Sequence, residues 1–218
     1  MSIARSCAAA LAFTVATAAT SIAKPVAFAG GTTAMAEYGA GTMVEAQLFY
    51  APSHRWSYGG GYLYLDSDVD GATRNLAYAR VNHLARRWNL ESAQANVFVW
   101  GGLGGARGGD FSGQELTGNA GGQIDYETRR VYSSLKTDYL YSNEFAHRID
   151  TLQLGVAPYE HEYDGLATWL LVQARHYTGD LYRGTEWAVL LRLFRRNAWV
   201  EAGVTEDGRL QSMLMFNF

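Results

Sequence analysis

The side chains of this sequence that could carry chemistry are five histidines, a few serines and a small set of methionines. His54, His83, His147, His161 and His176 fall in no H-E-x-x-H run, the spacing that puts two zinc ligands on one helix face. Ser133, Ser134 and Ser142 could act as nucleophiles on a lipid ester. That reaction needs a histidine base and an orienting polar or acidic group beside the hydroxyl. No G-x-S-x-G elbow occurs, and the spacing sets no histidine next to these serines. His161 sits between Glu160 and Glu162 in a polar turn that reads as solvated rather than metal-binding. The glycine runs YGGG and GGARGGD open no helix, so they cannot cradle phosphate as a helix N-terminus does. Catalysis finds no residue set here, and no cofactor is expected.

The elements that must position these residues are strands. No window reaches 18 consecutive apolar residues, which excludes a transmembrane helix. Period-two alternation recurs instead. It predicts strands over 31–38, 42–50, 56–65, 74–84, 93–103, 115–126, 130–141, 149–158, 166–177, 185–195, 198–206 and 209–218. In VYSSLKTDYLY, Val131, Ser133, Leu135, Thr137, Tyr139 and Tyr141 share one face, and Ser134, Lys136 and Asp138 share the other. Most segments have the roughly ten residues that a tilted strand needs to cross a bilayer. The fold class expected is therefore all-β: a transmembrane antiparallel up-and-down β-barrel of about twelve strands, with ten as the fallback. Connections around 66–73, 104–113, 142–148 and 178–184 read as longer than those at 51–55, 127–130 and 195–197, the rhythm of extended outer loops and tight inner turns.

If the apolar face meets lipid, the opposite parity lines the lumen. That assigns Glu45, Arg80, Asp125, Lys136, Asp138, Arg175, Glu186, Arg192 and Glu201 inward, together with Gln47, Asn82, Asn96, Gln123, Gln153 and Gln173. Five acids face four bases, a near balance that predicts cross-barrel ion pairs rather than a strongly selective pore. Phe98, Trp100, Trp169 and Phe194 share the inward parity and would fill space. So do Met35, Met43, Met213 and Met215. In a closed barrel the last strand pairs with the first, which would gather these four on adjacent strands. Thioethers are soft ligands suited to Cu(I), and they also fill gaps in cores.

The composition agrees. Charged residues make 18 %, glycine is abundant at 24 and proline scarce at 3. A net charge of -3 argues against nucleic acid as a partner. The N-terminal stretch has Arg5, a short apolar run from Cys7 to Ala18 and small residues at Ser21-Ile22-Ala23. It reads as a signal peptide over 1–23, with an alternative end at 29, leaving 24–218 as the barrel domain. The single cysteine, Cys7, lies within that leader, so the mature chain has no disulfide.

The last strand ends on Leu214, Phe216 and Phe218. This aromatic tail resembles the assembly signal of bacterial outer-membrane barrels, and the whole mature chain is similar to small proteobacterial barrels of that kind. The resemblance implies the Gram-negative outer membrane as location. Its implied partners are membrane lipid, lipopolysaccharide and the outer-membrane barrel assembly machinery. The segment LGVAPYEHEYDGLATWLLVQARHYTGD, 154–180, resembles a strand-turn-strand unit of the outer-membrane copper-resistance B family. Three functions stay open at this point. One is a non-enzymatic barrel, either a narrow channel for small solutes or a structural element. The second is a copper-handling protein using the methionines. The third is a lipid-modifying enzyme.

Overall fold

The computed structural model describes residues 26, 28–67, 71–160 and 165–218 of the chain. The leader expected over 1–23 and the His161–Glu162 part of the turn at 160–164 lie outside them. Twelve strands follow in order: β1 (Thr32–Gly39), β2 (Met43–Ser53), β3 (Trp56–Asp66), β4 (Thr73–Asn89), β5 (Ala93–Gly108), β6 (Glu115–Thr128), β7 (Val131–Tyr141), β8 (Ala146–Val156), β9 (Ala167–Gly179), β10 (Gly184–Arg195), β11 (Ala198–Thr205) and β12 (Leu210–Asn217). Each pairs antiparallel with its sequence neighbour, and β1 pairs with β12, so the sheet closes and leaves no edge. At the seam Thr32 N–H donates to Phe218 O at 2.7 Å, and Phe218 N–H returns to Thr32 O at 2.9 Å. An even strand count brings both ends of the barrel chain to one rim, the inner rim below.

Alternation decides the two surfaces. In β2, VEAQLFY exposes Val44, Ala46, Leu48 and Tyr50 and buries Glu45, Gln47 and Phe49. The same inversion of a soluble protein's pattern runs round the barrel. Leu116 is 73 % exposed, Leu103 64 % and Val189 60 %, and they lie on a continuous outward apolar band. Only lipid makes such a band stable. Aromatic residues rim it: Tyr38, Tyr139, Tyr141 and Trp187 toward the outer end, Tyr50, Trp56, Trp88 and Tyr126 toward the inner. Amphipathic rings settle at both water interfaces of a membrane.

Two expectations about strand ends are corrected. β4 and β5 run five residues further than alternation suggests, to Asn89 and Gly108, because they pair with each other along nearly their whole length. A bulge between Leu84 and Arg86 hides the end of β4 from a parity reading. The extra residue, Ala85, inverts the alternation, so Arg86 and Trp88 point out while Arg87 turns in toward Asn96. The connections at 67–72, 109–114, 142–145 and 180–183 are longer than those at 54–55, 129–130 and 196–197, as the rhythm predicts, but each is short. Strand pairing consumes much of the outer segments, and the longest connection, 157–166, lies at the inner rim.

The interior has layers. An apolar cluster under the outer mouth contains Leu63, Leu65, Leu76, Leu140, Phe145, Ile149 and Leu181. Two others fill the inner end, one around Tyr132, Trp169, Leu190, Phe194 and Trp199, the other around Leu84, Phe98 and Trp100 with Val26 against them. Between these layers lies a belt of charged and amide side chains.

Candidate functional site

The belt is built around two arginines on opposite walls. Arg80 projects from β4 and Arg192 from β10, six strands apart either way round a twelve-strand ring. Arg80 stands between glycines: Gly59 on β3 and Gly102 on β5 are its register partners, and Gly61 and Gly104 flank Tyr78 in the same way. A Cβ on Gly61 would lie 2.5 Å from the Tyr78 hydroxyl, and one on Gly121 would lie 2.4 Å from Trp100 Nε1. The bare backbone lets both rings lie against the wall. The Arg80 guanidinium then faces Phe49 at 4.9 Å, Trp100 at 5.3 Å and Tyr78 at 5.4 Å. Attraction to ring faces holds a cation firmly where water is excluded. Gln47 Oε1 accepts from Arg80 at 3.2 Å, and Asp138 lies 3.7 Å away.

Arg192 has a second cage, with Trp199 at 4.2 Å and Tyr132 at 4.3 Å. Its Nε donates to Glu201 at 2.8 Å and its Nη2 to Gln153 at 2.8 Å. Trp199 Nε1 donates to the same Glu201 oxygen at 2.8 Å. The other pairs complete the belt. Arg175 binds Glu37, Lys136 binds Asp138 at 2.8 Å, and Trp100 Nε1 donates to Asp138 at 2.9 Å. Tyr78 donates to Glu45. Between the two walls a cavity of about 130 Å³ remains, enough for a few waters or a small solute fragment.

Six of the nine charged residues assigned inward line this cavity: Glu45, Arg80, Lys136, Arg175, Arg192 and Glu201. Asp138 stands just beyond it on the outer side. Asp125 and Glu186 lie elsewhere inside the barrel. Asp125 accepts from Asn96 at 2.6 Å near the inner end, and Glu186 accepts from Gln211 near the outer end. Parity places Glu37 on the inward face of the first strand with Met35, and the structure puts it in the belt beside Arg175. Sequence reasoning missed Tyr78, Tyr132 and Trp199, because their roles depend on which strands stand beside them.

The methionine set does not gather as expected. Met35 and Met215 are register partners, and Met213 packs against the same inner cluster. Met43 belongs to the outer cluster, where Arg175 donates to its sulfur at 3.6 Å. It lies four residues along β2 from Gln47, the partner of Met35, a separation of roughly 13 Å. Four thioethers therefore do not meet at one point. The candidate serines and histidines take other places in the fold. Ser134 lines the cavity. Ser142 caps a turn by accepting from Glu144 and Phe145 N–H at 3.1 Å. His83 stacks on Trp56, and His176 bonds Thr185 on the outer surface. Leu214, Phe216 and Phe218 all point outward, the two phenylalanine rings stacked at 5.9 Å.

No family model matches the chain and no curated protein matches it in sequence. The resemblance of 154–180 to the copper-resistance B family thus has no family match behind it. Among solved structures, the chain is similar to the KdgM porin in complex with disordered oligogalacturonate, with a TM-score of 0.50 at 9 % identity, covering 86 % of this chain and 98 % of that one. A further KdgM porin structure aligns with a TM-score of 0.44 at 8 % identity over the same shares. The first likeness is one of fold, a closed antiparallel membrane barrel.

Proposed function

We propose that this protein is a non-enzymatic channel of the Gram-negative outer membrane, passing small polar solutes through a narrow lumen. The observation that carries the reading is the polar belt. A barrel with no transport role could fill its centre with apolar side chains. This one holds eight charged residues there, at the cost of taking them out of bulk water. The fold likeness to a porin supports the same reading.

The oligogalacturonate named for that porin is a polyanion. In this belt each base already has an acid of the chain beside it, so a polyanion would meet Glu37, Glu45, Asp138 and Glu201 as well as the bases. Small solutes of either sign, or of none, fit the balance better.

A structural barrel is the second reading. It is favoured by the apolar layers, which narrow both ends of the lumen. Purified protein in planar bilayers, with swelling of loaded vesicles measured in parallel, separates the two. Discrete small conductances together with sugar-dependent swelling are expected. Silence in both measurements would leave the structural reading.

A further inference from the structure

The outer mouth holds a salt bridge whose acid comes from a loop rather than from the wall. Arg74, the second residue of β4, has a side chain only 1 % exposed. Its Nε donates to Asp110 Oδ2 at 3.0 Å, and its Nη2 also binds that carboxylate. Asp110 belongs to the connection 109–114 between β5 and β6. That loop folds back over the mouth close against Gly108, where a Cβ would lie 2.4 Å from Asp110 Oδ1 and 2.5 Å from the Phe111 ring. Phe111 stacks on Phe145 at 5.7 Å, and Phe145 lies 4.3 Å under the Arg74 guanidinium. The connection 180–183 closes the other side, with Leu181 buried and Tyr182 edge-on to Tyr177 at 4.7 Å.

Beneath this lid, hydrogen-bonding capacity is unspent. Arg74 Nη1 is buried and has no partner among the described residues, and neither has either ring nitrogen of His147, a residue 1 % exposed. Buried donors of this kind normally have partners. His147 faces Arg74 from β4, Tyr177 from β9 and Asp180 from the 180–183 connection.

We infer that Arg74 is the entry site for a carboxylate-bearing solute and that Asp110 is its built-in competitor. A guanidinium takes a carboxylate through two parallel N–H donors. Asp110 demonstrates that a carboxylate fits this seat. A solute carboxylate offers the same two oxygens, and its hydroxyls can reach Arg74 Nη1 and His147, which Asp110 leaves unused. When the solute takes the seat, Asp110 is released. The 109–114 loop then loses this tether to the mouth and keeps the Phe111–Phe145 stack and the Gly109 N–H bond to Thr73 O. The inference deepens the channel reading by naming a solute class and a place of entry.

The test is binding of D-glucuronate to the full chain in detergent, by titration calorimetry, with D-glucose as the uncharged control. Wild type binds glucuronate weakly because Asp110 occupies the seat. Asp110→Ala, a change in a partly exposed loop, is expected to bind roughly tenfold tighter, since a site blocked most of the time loses apparent affinity by its free fraction. Arg74→Gln, checked for folding by its heat-dependent gel shift, loses the binding. Glucose binds to none of the three. Asp110→Ala binding no tighter than wild type, or Arg74→Gln binding unimpaired, overturns the inference. Conductance of the same preparations reports on the channel reading separately. Current without this binding order removes the site and keeps the channel; the binding order without current does the reverse.

Discussion

Arg80 has little freedom to leave its place, and the reason lies in residues with no side chain. Trp100 lies flat because Gly121 is bare, and Tyr78 because Gly61 is bare. Gly121 is the stricter of the two. A Cβ there meets not only Trp100 Nε1 at 2.4 Å but also the backbone oxygen of Thr137 at 2.3 Å. The ring could turn aside; the strand cannot. Gly121→Val is therefore expected to lower stability by about 3 kcal/mol, the upper range for overpacking a filled interior. Gly118→Ala on the same strand, whose Cβ would meet only Tyr141 O at 3.8 Å, should be nearly neutral. Urea unfolding in micelles measures both. Equal stability of the two variants would mean that Trp100 is not held by this packing. None of this was legible in the sequence. Gly61 and Gly121 fall within segments read only as strands, 56–65 and 115–126, because what a glycine makes room for depends on the neighbouring strand's register.

At the scale of the strands the reverse holds. Period-two parity places Glu45, Arg80, Lys136, Asp138, Arg175, Arg192 and Glu201 on the inward face, because a pleat leaves each side chain only two directions. Parity carries less where the pleat is broken, as at Ala85, and where short residues such as GGARG show no alternation. It carries nothing across the barrel, so it could not separate Met43 from the other methionines. The outward face makes its own prediction. Val189 sits mid-strand in β10, beside Val172 of β9 and Val204 of β11, all three exposed. Val189→Arg should cost about 2–4 kcal/mol in a bilayer, the usual penalty for a cation at the lipid-facing midplane of a barrel. Reversible unfolding from lipid vesicles tests it. A variant as stable as the wild type would mean that this face does not meet hydrocarbon.

For the molecule as a whole, the consequence of the belt is its charge balance. Arg80, Lys136, Arg175 and Arg192 stand against Glu37, Glu45, Asp138 and Glu201, four bases and four acids at the charged level of the lumen. An ion crossing there is close to every one of them, with low-dielectric walls behind, so fixed charge at this level should dominate selectivity. Balance predicts a reversal potential near zero across a potassium chloride gradient. Unbalancing it has a definite sign. Arg80→Gln leaves three bases against four acids, while Asp138 keeps Lys136 at 2.8 Å, so the site need not collapse. The pore should then favour cations, and the reversal potential should move toward that of potassium. Glu45→Gln leaves four bases against three acids and should move it toward that of chloride. Two shifts of opposite sign from charges on β4 and β2, with β3 between them, would locate the ion path in the belt. If neither variant shifts the potential while current persists, the ions pass elsewhere, and the eight charges serve only to hold the walls together.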